Sequence, residues 1–425
     1  MRNGDDGFQR FSAIDAELVE LVKGIRVLSN LSWPNHVQER FLDGWRRGRA
    51  RLPEVVYPRV SYADRIKSLR ALKNDLDREH PVARFLDDTA QSYITVCRLL
   101  ENVGSPRMAV YSVELYGRPG DSLAGGRVHN IDAARHFLDI ARQYNSEHKL
   151  SDGDYCLPAA RIQAEMRERL DQVFAGHQIA VVVDPDMVSK AAAGATRIRL
   201  RDATCFSEFD LEQLLQHEAF VHSLTAINGR AQANLKSMGL GAPRTTATQE
   251  GLATFAELVT GSIDISRLER IALRIIAIDM ALNGGDFMDV FRFLLDSGQT
   301  ESESFNSAMR VFRGAPLTGG SAFTKDTVYL HGLMQVHTFF RWCLQHGKLE
   351  LCRLLLAGRV TIGDTIRLEE WFRSGFISPP LYLPPWMTRG NALSAYLAFS
   401  VFANRIRIHE LDEGYTFDSV SEMGI

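Results

Sequence analysis

Apolar positions recur at helical spacing over most of the chain. Leu18, Leu21, Val22 and Ile25 mark one face of a helix over 14–28, and the same period returns over 65–76, 82–100, 131–144 and 159–174. His80-Pro81 separates the second and third of these segments. The stretch 107–115 reads as a strand running into the turn-rich 116–120. The texture changes near Gly176. A β-branched run from Ile179 to Asp184 is stopped by Pro185, and 196–201 alternates with period two, the mark of a strand with one wet face. Helical spacing then continues almost to the end, and 377–385, rich in proline but interleaved with aromatics, reads as an ordered crossing. The pattern predicts an α+β protein, predominantly helical, with a mostly helical region over 1–175 and a second region over 176–425.

Composition narrows the class. The chain has 425 residues, 45% hydrophobic and 24% charged, which supports a sizeable core and excludes a disordered or collagen-like chain. With 49 basic against 52 acidic residues, bulk charge gives no reason to expect a nucleic-acid partner. No window approaches the roughly 18 consecutive apolar residues of a membrane span. The polar segment 1–10 leads into no apolar run with a cleavage site, so no secretory leader is expected. Five separate cysteines, without a C-x-x-C pair, predict free thiols in a reducing, cytoplasmic compartment. The basic run 46–51 reads as a solvated helix end, with contact to an acidic partner as the alternative.

One segment carries chemistry: Asp210-Leu-Glu-Gln-Leu-Leu-Gln-His217-Glu218-Ala-Phe-Val-His222. Asp210 as cap, Gln213 in capping-box position and Phe209 with Leu214 as a hydrophobic staple predict a helix start. The histidines are five residues apart, about 140° around a regular helix, too far to share an ion easily. A π-bulge brings such residues together, and π-bulges concentrate at functional sites. Local widening between His217 and His222 is therefore expected. The competing reading is a buried Glu218–His222 ion pair, four residues apart, with His217 incidental.

A second segment, Thr246-Ala-Thr-Gln249-Glu250-Gly251-Leu252-Ala253, supplies a carboxylate. Thr246 with Gln249 predicts another capping box and places Glu250 in the first helical turn, where the helix dipole favours the ionised form. Gly251 is costly in a helix, which points to a close backbone approach. Together, His-Glu-x-x-x-His and Gln-Glu-Gly-Leu-Ala resemble the QEGLA-motif family, which includes the microtubule-associated tyrosine carboxypeptidases. Ser112-Val-Glu-Leu-Tyr116-Gly117 and the block from Arg310 to Leu330 are similar to that family as well. The Gln-Glu-Gly-Leu-Ala stretch also echoes the Asn-Glu-Gly-Phe-Ala of gluzincins.

The resemblance implies a zincin-like fold, with a small sheet beside the active-site helix, and a zinc carboxypeptidase acting on protein or peptide C-termini. It implies His217, His222 and Glu250 as zinc ligands and Glu218 as general base, two histidines and a carboxylate leaving an open position at the ion. Tyr329 and His331 are candidate donors to the oxyanion. Arg313 and Lys325 are candidate anchors for the substrate's terminal carboxylate. Glu257, seven residues after Glu250 and on the same face, is placed to orient a ligand histidine, unless it is simply exposed. Two other readings stand beside this one. A non-haem iron oxygenase uses the same ligand types but has no need of Glu218. A non-enzymatic regulatory protein retaining a metal site is the third.

Overall fold

A computed structural model describes residues 2–147 and 156–404, other than 186, 188, 189, 195 and 203. Its principal helices before the sheet are α1 (Arg2–Val22), α2 (Pro81–Glu101), α3 (Arg107–Tyr116), α4 (Asn130–Glu147) and α5 (Ala159–Val173). Strands β1 (Ala180–Asp184), β2 (Ala191–Ala193) and β3 (Arg197–Arg201) follow. Next come α6 (Glu208–Leu214), a π-helix (Leu215–Ser223) and α7 (Leu224–Ala231). The remaining long elements are α8 (Thr246–Val259), α9 (Ile265–Leu282), α10 (Phe287–Asp296), α11 (Glu301–Phe312), α12 (Val328–Gln345) and α13 (Gly390–Ala403). Helix accounts for 65% of the structure, in line with the predominantly helical α+β reading.

The sheet has the order β1-β3-β2. β1 runs parallel to β3 with Val181 opposite Ile198, and β2 runs antiparallel with Ala191 opposite Leu200. Ile198 and Leu200 are fully buried while Arg197 and Arg199 point outward, as the period-two alternation predicts. The Ser223 hydroxyl donates to the Gly194 carbonyl at 2.8 Å, which ties the sheet to the end of the π-helix.

α2 is apolar on most of its circumference and runs through the interior. Pro81 occupies its first turn, where a missing N–H costs nothing. Phe41 packs its ring against Phe287, Phe291 and Phe305 at 5.3, 4.9 and 5.3 Å between centroids. These contacts join the early helices to α10 and α11, and one hydrophobic core runs from Leu18 to Leu397. The 377–385 crossing is ordered, as expected. Asn228 bonds both the N–H and the carbonyl of Tyr382, and Gln232 bonds both the carbonyl and the N–H of Ser378.

Four expectations are corrected. The 107–115 stretch is helical: Met108, Ala109, Ser112 and Tyr116 are buried, a helical spacing that outweighs the β-branched content. α6 begins three residues earlier than predicted. Ser207 is the cap, its hydroxyl accepting from the Asp210 N–H at 3.2 Å while Asp210 accepts from the Ser207 N–H at 2.6 Å. Phe206, not the exposed Phe209, is buried before the cap, and Leu211 is its partner in staple position. α8 carries no side-chain cap. Thr245 precedes its first residue, and Glu250 stands fifth, beyond the first turn. Finally, the cysteines are not all free. Cys156 and Cys205 form a disulfide with a Cα–Cα distance of 4.7 Å, because the Leu157–Phe206 bridge sets their backbones side by side. The cysteine argument for a reducing compartment falls with that pair. Among the described residues no helix is long and apolar enough to cross a membrane.

Candidate metal centre

The π-helix decides the geometry. Its i→i+5 pattern stacks residues five apart on one face, so His217 and His222 meet with ring centroids 4.8 Å apart and planes at 85°. α8 crosses beside it and delivers Glu250. The Glu250 Oε2 atom lies 3.4 Å from His217 Nε2 and 3.6 Å from His222 Nε2. One donor atom from each of the three residues falls within a mutual 4.8 Å. Tetrahedral zinc with bonds of about 2.0–2.1 Å sets its ligands roughly 3.3 Å apart, so the donor types fit that ion, as do the two spacings from Glu250 to the histidines. No Glu218–His222 ion pair occurs among the described residues; His222 turns to Glu250 instead.

Partners behind the triad fix its protonation. His217 Nδ1 lies 2.6 Å from Glu257 Oε1, an arrangement that keeps a ring proton on Nδ1 and turns Nε2 toward Glu250. Glu257 has no exposed surface and also receives Gln213 at 3.1 Å and Arg267 at 3.3 Å. Burial opposes its ionisation, but Arg267 and His217 outweigh that and bring its pKa down to about 2. Glu250 Oε1 takes a 2.8 Å hydrogen bond from Lys325, leaving Oε2 for the cluster. Burial again opposes the charge, and Lys325 with the two histidines holds the Glu250 carboxyl well below the usual range. The cation that ionises Glu250 is thus Lys325 rather than the helix dipole. Burial disfavours a charged His217, but its two glutamate partners raise its pKa well above the ordinary value.

The other sequence candidates divide. Glu218, next to His217 on the π-helix, is half-buried and makes no hydrogen bond or ion pair with a described side chain. Tyr329 belongs to the cluster's surroundings, its ring centre 5.5 Å from Lys325 Nζ and 5.7 Å from Arg267 Cζ. His331, two residues along α12 and so about 200° round the helix, is not brought to the triad. Its Nε2 lies 2.8 Å from Gln335, and burial lowers its pKa. Lys325 is committed on one side to Glu250. Arg313 is buried, with its guanidinium 5.0 Å from the centre of the Phe323 ring.

The upstream motif and the third block converge. Ser112 hydrogen-bonds Thr324 at 3.0 Å and accepts from its N–H at 2.8 Å. The Thr327 hydroxyl donates to the Tyr116 carbonyl at 2.8 Å. α3 thereby holds the turn that presents Lys325. Two contributors escaped the sequence reading. Arg267 could have been suspected only from its helix, with no motif around it. Arg359 donates to the His222 carbonyl at 3.1 Å, at the end of the π-helix; a lone arginine in a loop carries no signal at all.

A family model described as microtubule-associated tyrosine carboxypeptidase matches residues 39–405. No curated protein matches the chain. Among solved structures, "the putative lipoprotein from Colwellia psychrerythraea" is similar at 15% identity, with a TM-score of 0.45, over 79% of this chain and 73% of that one.

Proposed function

The chain belongs to the microtubule-associated tyrosine carboxypeptidase family, and from that premise we propose that it is a zinc-dependent carboxypeptidase of zincin-like type, removing a C-terminal residue, with tyrosine as the preferred one, from a protein or peptide. The observation that carries the proposal is the meeting of His217 Nε2, His222 Nε2 and Glu250 Oε2 next to Glu218, whose carboxylate bonds no side chain among the described residues. The sheet packed against the π-helix supports the zincin-like reading. An uncommitted carboxylate next to the first ligand favours hydrolysis over the chemistry of an iron triad, which needs no such group.

His217, His222 and Glu250 would hold the ion. When bound, zinc supplies an acidified water and polarises the carbonyl under attack. Glu218 then takes the proton of the attacking water on its carboxylate and passes it to the leaving amine. Glu257 keeps the His217 proton on Nδ1, so Nε2 stays available. Lys325 holds Glu250 in its ionised form and, with three N–H donors, has others to offer the substrate. The Tyr329 hydroxyl, on a ring 5.5 Å from Lys325 Nζ, is the candidate donor to the developing oxyanion. Terminal residues released from a C-terminal peptide library by the zinc-loaded protein test the proposal. Release that disappears in Glu218→Gln while zinc is retained supports it; undiminished release in that variant removes the base.

A further inference from the structure

Leaving a π-helix has a cost. Where bonding returns from i→i+5 to i→i+4, the ladder skips one carbonyl, and a skipped carbonyl inside a protein needs another donor. Here the return falls at Ser223 and Leu224, immediately after the second histidine. The Leu224 N–H is divided between the Ala219 and Val221 carbonyls. Side chains supply what the ladder lacks. Arg359 Nη2 donates to the His222 carbonyl at 3.1 Å. The Thr225 hydroxyl lies 2.7 Å from the Val221 carbonyl and 2.8 Å from Oε1 of Gln249, the residue before Glu250.

The loop that delivers Arg359 is fixed on both sides. The Arg359 N–H donates to the Met238 carbonyl at 2.7 Å. Asn228 and Gln232 donate their amides to the carbonyls of Leu356 and Ala357, at 2.8 and 3.1 Å. A Cβ on Gly358 would stand 2.9 Å from Met238 Cβ, so the loop lies flat on that residue. The Arg359 guanidinium has no carboxylate within 4 Å among the described residues, and its Nε is buried without an acceptor. Burial and the like charge of Arg230 lower its pKa, against the pull of Tyr93, Glu250 and Glu218. A cation held in this way gains most from an acceptor that nothing else serves. Among the described residues the His222 carbonyl is the acceptor its guanidinium has.

We propose that Arg359 is a positioning residue of the metal centre: its guanidinium stands in for a backbone N–H at the His222 carbonyl, holds the π-turn open, and so keeps the His222 imidazole beside His217 and Glu250. The inference deepens the peptidase reading and rests on the metal centre for its purpose. Without the guanidinium the segment relaxes toward regular α-helical bonding, where residues five apart stand about 140° round the axis and the two imidazoles part.

Three variants test it. Arg359→Met removes the donor at nearly constant bulk, and Arg359→Lys returns one. Gly241→Ala leaves the arginine in place but sets a Cβ 2.9 Å from its Nη1, and so shifts it. Two measurements are made on the full chain. Amide hydrogen exchange of the metal-free protein reads the π-turn, and competition with a chromogenic chelator reads zinc affinity. In Arg359→Met, exchange over 219–228 should quicken about tenfold while the sheet and α9 keep their rates. Zinc affinity should fall by about tenfold. Arg359→Lys should recover most of both, and Gly241→Ala should move both in the same direction as Arg359→Met. Wild-type exchange and affinity in Arg359→Met overturn the proposal. So does exchange quickened evenly across the chain, which marks a residue that serves the fold and not the turn. Should Arg359→Met fail to fold, Gly241→Ala decides: local quickening with weaker zinc binding supports the proposal, and wild-type behaviour in both overturns it. A wild type that takes up no zinc strikes the metal centre and this role together; variants that match a zinc-binding wild type strike the role of Arg359 alone.

Discussion

Gly251 and Gly332 face each other across the contact between α8 and α12. A Cβ on Gly251 would stand 2.2 Å from the carbonyl carbon of Gly332, and a Cβ on Gly332 would stand 2.1 Å from the Ala247 oxygen. The clash is with backbone, so no side chain can swing aside. This close approach is what the glycine after Glu250 permits, and it sets how deeply α8 can carry that carboxylate toward the histidines. Gly251→Ala should therefore push the helices apart, at a cost of about 1–3 kcal/mol, and weaken zinc binding with it. Thermal unfolding and zinc titration of the variant check this; unchanged zinc affinity would show that the helix spacing does not position Glu250.

Glu257→Gln keeps the shape of the side chain and removes its charge. The His217 proton loses its acceptor of choice, and Arg267 is left without its carboxylate. Groups in this position behind a metal ligand typically govern affinity by about 10–100-fold. Competition with a chromogenic chelator should register a zinc affinity lower by that order, while unaltered affinity would make Glu257 merely structural.

Asp15 makes stability depend on pH. It is fully buried in α1, and its two oxygens each accept from the Ser237 N–H at 3.2 Å. Burial raises its pKa from 3.8 to about 6 against the pull of those bonds. The native state thus binds the proton more tightly than the unfolded chain does. Stability from the neutral form is complete below pH 3.8 and is lost as the pH rises through 6. The loss is on the order of 3 kcal/mol at most. Asp15→Asn retains an acceptor without titrating. It should raise the unfolding temperature at pH 8 and change it little at pH 4; equal shifts at both values would contradict the assignment.

The disulfide closes a sequence separation of 49 residues that contains the whole sheet and ends beside the cap of α6. A cross-link of that span contributes about 3–4 kcal/mol by restricting the unfolded chain. Both cysteines are exposed and open to a reductant. A phosphine reductant should lower the unfolding temperature of the wild type and leave Cys205→Ser, already lower, unmoved. An unfolding temperature indifferent to reduction would place the cross-link outside the cooperative unit.

What the sequence revealed of the site follows from how local its chemistry is. His217, Glu218 and His222 share one helix, and their awkward spacing announced the π-turn that resolves it. Gly251 was legible because a glycine inside a helix needs a reason. Lys325 was visible only as a cation, since nothing in the linear order says that Glu250 lies beside it. Arg267 and Arg359 come from a separate helix and a loop, and only the fold brings the one to Glu257 and the other to the His222 carbonyl. The start of α6 was misplaced because Ser207 and Asp210 both suit a cap; Phe206, buried ahead of Ser207, decides between them. The 107–115 stretch shows the same limit, where the burial of Met108, Ser112 and Tyr116 overrides a β-branched appearance.

The central claim is that His217, His222 and Glu250 hold one divalent cation between two helices. Metal analysis of the purified wild type alongside Glu218→Gln, His217→Ala and Glu250→Gln tests it most directly. The account predicts about one zinc per chain in the wild type and in Glu218→Gln, with marked loss in the other two. Zinc bound equally well by all four proteins, or absent from a folded wild type supplied with the ion, would contradict it.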